Sequence, residues 1–180
     1  MSNLDYPALN LSGDNYLKWA MNTAIVLKIR GLDRCIIKGE YATENEKYGA
    51  VTIIRQHLTE DLRDQYLNIE NPLDLWTELK SRYTIVLLPK ARHEWINLRF
   101  RDFKSVDEYN SALIKIVSKL KLCGEEVTEE DLLEKTFLTA DPRDLLLQYT
   151  YRKKGFTTYT NLISYLLQAE KNNEILKQNQ

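Results

Sequence analysis

The sequence predicts an all-helical fold, and three observations predict it. Only 6 Gly and 4 Pro punctuate 180 residues, whereas an all-β sandwich needs turn signals every ~8–12 residues. Apolar side chains recur three and four positions apart over long stretches, the spacing of one helical face. Ser, Thr, Asn and Asp stand just ahead of those stretches, with acidic residues three places on, as helix caps do. Apolar residues make up 43 % of the chain, enough to build a packed core and too many for a disordered chain. By size alone, one domain and two small domains are both open.

The elements follow in order. Residues up to Ser12 read as extended, since Pro7 forbids an early helix. Gly13-Asp14-Asn15 offers a turn and an N-cap. Tyr16, Trp19, Ala20, Thr23, Val26 and Leu27 then share one helical face, which Gly31 ends. Thr43 and Glu46 form a capping box for a second helical region carrying Tyr48, Val51, Ile54, Leu58 and Leu62 as its stripe, with Thr59 starting a fresh helix inside it. Asn71-Pro72 supplies an N-cap and a proline at the first helical position, and Leu75, Trp76, Leu79 and Tyr83 give the buried face. From Thr84 to Pro89 the pattern becomes a plain apolar run, open to reading as a linker or a new helix start; the boundary between two lobes, 1–86 and 87–180, is placed here. A further helix is expected to carry Trp95, Leu98 and Phe100.

Ser105-Val106-Asp107-Glu108 reads as a capping box with acids in the first turn, where the helix dipole favours them. Tyr109, Leu113, Ile116, Val117 and Leu120 continue on one face until Gly124. Thr128-Glu129-Glu130-Asp131 starts the next helix, expected to bury Leu132, Leu133, Phe137 and Leu138. Asp141-Pro142 is expected to cap another, broken by Gly155. The last runs from about Thr158 with Tyr159, Leu162, Ile163, Leu166 and Leu167 inward, and the Asn-, Gln- and Lys-rich tail is expected to fray.

Charge and chemistry narrow the function. Lys plus Arg total 25 against 26 acidic residues, a formal charge of −1. A dedicated nucleic-acid binder carries a positive excess, because phosphate neutralisation supplies much of its affinity. Cys35 and Cys123 stand too far apart in sequence for a zinc spacing and suggest no disulfide framework. His57 and His93 sit in no His-Glu-x-x-His array, and the glycines form no phosphate loop. Carboxylates lie in helix first turns or beside Lys and Arg, so their pattern is that of caps and solvated faces. Hence no enzymatic activity, no metal and no cofactor are expected. Without a signal peptide or ~20 consecutive apolar residues, a soluble cytoplasmic protein is expected, with no membrane and no small-molecule substrate as partner. Two basic groups stand out as a candidate RNA-facing patch: Lys90, Arg92, Arg99, Arg101 and Lys104, interleaved with Trp95 and Phe100, and Arg152-Lys153-Lys154. A solvated helix face is the more economical account of both.

Three stretches together carry a family likeness. Leu11-Ser12-Gly13-Asp14-Asn15-Tyr16-Leu17-Lys18-Trp19 resembles the opening motif of copia-type, plant-like LTR retrotransposon Gag proteins. Leu75-Trp76-Thr77-Glu78-Leu79-Lys80-Ser81-Arg82-Tyr83 is similar to their mid-Gag motif. Leu98 to Leu138 contains Phe103 to Tyr109, then Leu120, Cys123-Gly124 and Thr128 to Leu133, in the family's order. The resemblance implies the capsid region of such a Gag: two helical lobes, related to retroviral capsid domains, that self-associate as dimers and higher assemblies into virus-like particles enclosing RNA. It also implies that residues 103–120 match the homology segment of the C-terminal lobe, expected to carry much of the self-association. Tyr16, Trp19, Trp76, Tyr83, Val106, Tyr109 and Leu113 are then structural core. The alternative is a host-domesticated, Gag-derived interaction adaptor. Two departures stand: no Cys-Cys-His-Cys zinc knuckle is present, in keeping with a capsid fragment or a domesticated derivative, and Thr139-Ala140-Asp141-Pro142 replaces the usual Leu-Pro.

Overall fold

In the computed structural model the described residues are 5–179, the side chains of 145 and 146 excepted. They form eight α-helices: α1 Tyr16–Ile29, α2 Glu44–Gln56, α3 Glu60–Gln65, α4 Pro72–Asn97, α5 Val106–Leu122, α6 Glu129–Thr139, α7 Leu145–Lys154 and α8 Tyr159–Gln178. Two 3₁₀ turns, Asp33–Ile36 and Phe100–Asp102, complete them. The chain packs as two compact units, Met1–Val86 and Leu87–Gln180.

The first unit is built around an extended segment and an indole. Leu9, wholly buried, donates its N–H to the His57 carbonyl at 2.8 Å and accepts from the Thr59 N–H at 3.1 Å. Trp19 donates its indole N–H to the same His57 carbonyl at 2.7 Å. The core therefore holds main-chain polar groups of Leu9 and His57, and these are paired, as burial demands. Asn15 does not cap α1 with its side chain; its amide instead accepts from Asn10 N–H and donates to the Ala8 carbonyl, fastening the extended segment. Gly31 follows α1 with φ +70°, a left-handed residue after the helix end. Thr43 caps α2 by accepting from Glu46 N–H, but the capping box stays open because the Glu46 carboxylate turns to Arg34 at 3.2 Å. Tyr48 lies on the exposed face of α2, and Ala50, Val51, Ile53 and Ile54 bury the other.

The run from Thr84 to Pro89 is neither a linker nor a new start. Helix α4 continues through it for 26 residues with Pro89 inside. Proline gives no N–H to the carbonyl four residues back, yet Ile85, Val86 and Pro89 are all exposed, so water can serve the freed group. Because α4 stops at Asn97, Leu98 and Phe100 fall beyond it, Leu98 buried and Phe100 in the 3₁₀ turn.

The second unit packs α5, α6 and α8 around Tyr109, Leu113 and Leu162. Its helix ends are stitched by side chains from other elements. Ser105 caps α5 through Glu108 N–H, while the Glu108 carboxylate reaches past it to Lys104 N–H. Glu170 on α8 accepts the Val106 N–H at 3.3 Å, and Glu129 on α6 accepts the Tyr159 N–H at 2.7 Å. Each carboxylate thus meets the positive end of a neighbouring helix. Thr128 and Asp131 form the complete capping box. Leu138 is exposed, not buried, because α6 turns only Leu133 and Thr136 fully inward. The cap of α7 is Asp144 rather than Asp141, since the Asp141 carboxylate is taken by Arg143. The C-terminal tail stays helical to Gln178.

Candidate functional site

Residues from the first two sequence motifs meet in one cluster. Gly13 sits at φ +73°, where a Cβ would lie 2.0 Å from the Tyr83 ring. The ring of Tyr83 stacks on Tyr16 at 5.3 Å, and its hydroxyl donates to the carbonyls of Asn10 and Leu11 at 3.2 and 3.1 Å. Trp19 stacks on Trp76 at 5.6 Å. Tyr16, Trp19 and Tyr83 are buried, whereas Trp76 is only half-buried. Burial pushes the Tyr83 hydroxyl above its ordinary range, outweighing the pull of the Arg82 guanidinium. His57, which the sequence sets in no catalytic or metal array, has a packing role: it is buried, its ring stacks on Tyr6 at 4.4 Å, and Nδ1 lies 2.8 Å from the Ile53 carbonyl. Tyr6 in turn bonds Thr23 at 2.7 Å.

Residues 103–120 likewise form a packed centre. Val106, Tyr109 and Leu113 are buried, and Phe100 and Phe103 meet the Tyr109 ring edge-on at 4.9 and 5.6 Å. The Thr136 hydroxyl donates to the Leu132 carbonyl, so the Tyr109 hydroxyl, 2.9 Å away, is the donor of their bond. Desolvation raises the Tyr109 pKa to about 12 despite that bond. The Tyr159 hydroxyl, donating to Asn110, is pushed up further by burial.

The basic residues are dispersed and partly neutralised. Lys90, Arg92, Arg99, Arg101 and Lys104 are all exposed, but Arg92 pairs with Glu125. Arg99 lies near Lys135, whose ammonium sits over the Trp95 ring at 5.1 Å and is pushed down by burial first and by Arg99 second. Arg152, Lys153 and Lys154 occupy the last turn of α7, where the helix dipole favours cations. Lys153 and Lys154 rest over the rings of Tyr149 and Tyr165 at 5.6 and 4.5 Å. One member of each group lies near the Asp141-Pro142 turn. Arg101 acts on the Asp141 carboxyl, held down to about 2 chiefly by Arg143, and Arg152 shares a hollow of about 430 Å³ with Pro142. Arg143, absent from the sequence reading, is the most exposed of these cations in an ion pair, at 91 %.

Cys35 is buried, its thiol pushed up by desolvation and then by Glu46. Among the described residues no cluster of three or more His, Cys, Asp or Glu has metal-binding geometry, and no helix is long and apolar enough to cross a membrane. No family model, no curated protein and no solved structure matches this chain.

Proposed function

We propose that this chain is a structural protein, without catalytic activity or cofactor, that self-associates as the capsid region of a copia-type retrotransposon Gag and encloses RNA in the cytoplasm. The observation that carries the reading is the meeting of Gly13, Tyr16 and Trp19 with Trp76 and Tyr83. Two motifs some sixty residues apart contribute to a single core, so their co-occurrence has a structural reason. The homology-like segment 103–120 supplies the centre of the second unit in the same manner. RNA contact is weak and rests on the exposed cations near the Asp141-Pro142 turn, which suits a shell lining better than a dedicated reader.

Sedimentation velocity across concentration, at low and high salt, with negative-stain imaging, tests the proposal. Concentration-dependent dimers and larger particles are expected. Monomer alone up to about millimolar, where even weak contacts of ~4 kcal/mol would register, overturns it in favour of the host-adaptor reading.

A further inference from the structure

We infer that the first unit carries two unlike, mutually complementary surfaces, and that the exposed face of α1 docks into an acidic groove on a second copy of this chain. The inference rests on the self-association just proposed and names one contact that makes it.

The first surface is apolar with a cationic border. Met21, Ile25 and Ile29 follow one another at every fourth residue of α1 and are 54, 53 and 78 % exposed. That spacing aligns them along one face, opposite the buried Tyr16, Trp19, Thr23 and Leu27. Lys18 and Lys28, both exposed, border the stripe about 15 Å apart along the axis. No acidic residue occurs from Asn15 to Leu32, so nothing on the helix neutralises them.

The second surface has the opposite character. A groove of about 590 Å³ opens beside the first turns of α4, with Ile69 and Leu73 for apolar contact and Glu70, Asp74 and Glu78 as acids, against Lys38 alone as a cation. None of these three carboxylates has an ion-pair partner among the described residues, and neither have Lys18 and Lys28.

Charge decides which surfaces meet. Pairing α1 with α1 of a second copy brings lysines to lysines, and pairing two grooves brings carboxylates together. Only the unlike pairing places cation beside anion with an apolar centre between them. The stripe is exposed in its own unit, so it does not fill its own groove. A contact between two different patches is heterologous and repeats from copy to copy, closing into a ring or continuing into a larger assembly.

Charge reversal on the full-length chain tests this. Lys18→Glu/Lys28→Glu and Glu70→Lys/Glu78→Lys change exposed side chains only, and circular dichroism with the thermal midpoint verifies folding. Each variant alone is expected to weaken self-association by about tenfold or more in sedimentation, and an equimolar mixture of the two to restore heterologous association to within about threefold of wild type. If wild type associates and both variants associate equally well, this contact is overturned while the self-assembly reading stands. If both variants weaken association and the mixture does not recover, the pairing of these two surfaces is overturned. A wild-type chain that stays monomeric overturns the contact together with the proposed function.

Discussion

The indole N–H of Trp19 donates to the main-chain carbonyl of His57 at 2.7 Å, 38 residues away. That carbonyl also accepts from Leu9 N–H, so one buried oxygen ties α1 and the extended segment to the turn after α2. Trp19→Phe removes one of its two donors without leaving the oxygen unpaired. Its cost is therefore near that of one net hydrogen bond plus a small void, about 1–2 kcal/mol. Trp19→Ala is expected to cost about 3–5 kcal/mol and Trp76→Ala, whose indole is less completely buried, about 2. Urea unfolding of the three variants checks the order; equal midpoints for Trp19→Ala and Trp76→Ala would contradict it.

Gly13 and Gly31 separate close packing from backbone conformation. Both have φ near +70°, but an added Cβ at Gly31 meets nothing within 4 Å, whereas at Gly13 it strikes the Tyr83 ring. That ring is buried and anchored by its hydroxyl, so it has little room to move. Gly31→Ala is expected to cost about 1 kcal/mol from the left-handed backbone alone, and Gly13→Ala about 3 kcal/mol or more. Thermal melts of the two variants provide the comparison.

Tyr109 makes the second unit sensitive to alkali. Its pKa is about 12 in the fold against 10.0 when free, so between those values the unfolded chain loses the proton first. Stability from the neutral hydroxyl is whole below pH ~10 and declines as pH rises towards 12, because the folded state then binds more protons. Tyr109→Phe is expected to cost about 1 kcal/mol at neutral pH. It also flattens the decline, which Tyr159 shares. Denaturant midpoints from pH 8 to 11.5 measure both effects; an unchanged alkaline slope would remove Tyr109 from that role.

The two thiols are expected to react at different rates. Burial and the neighbouring Glu46 raise the Cys35 pKa, and the thiolate is the reactive form. Cys123 is partly exposed. A thiol reagent at pH 8 is expected to label Cys123 at least about tenfold faster than Cys35 in the folded chain. Peptide mapping after brief labelling identifies which one reacts first.

RNA contact through Arg101, Arg143 and Arg152 is expected to be weak and to collapse with salt. Neutralising about three phosphates on a single strand gives a slope near −2, or about twentyfold weaker binding from 50 to 200 mM salt. Replacing all three by Ala is expected to abolish that slope in fluorescence anisotropy with a single-stranded RNA. Tight binding that persists at ~0.5 M salt would contradict the assignment.

The sequence by itself determined the helical class and most helix starts, because these are local events. Thr43, Asn71, Ser105, Thr128 and Thr158 each cap the helix that follows them, by side-chain bonds within three residues. The apolar period also found Trp19, Tyr109 and Leu113, since a buried face of a helix must repeat every three to four positions. Tertiary structure alone decided the rest. Whether Pro89 breaks or merely interrupts α4 depends on solvent reaching the gap. Glu170 reaching Val106 spans 64 residues. His57 could be placed only once Tyr6, Ile53 and Trp19 stood around it. The pairing of Arg92 with Glu125 likewise lies beyond the reach of spacing along one helix, because the two are 33 residues apart in the chain. Local bonds leave their mark on a short window of sequence; long-range ones are selected only when the helices pack.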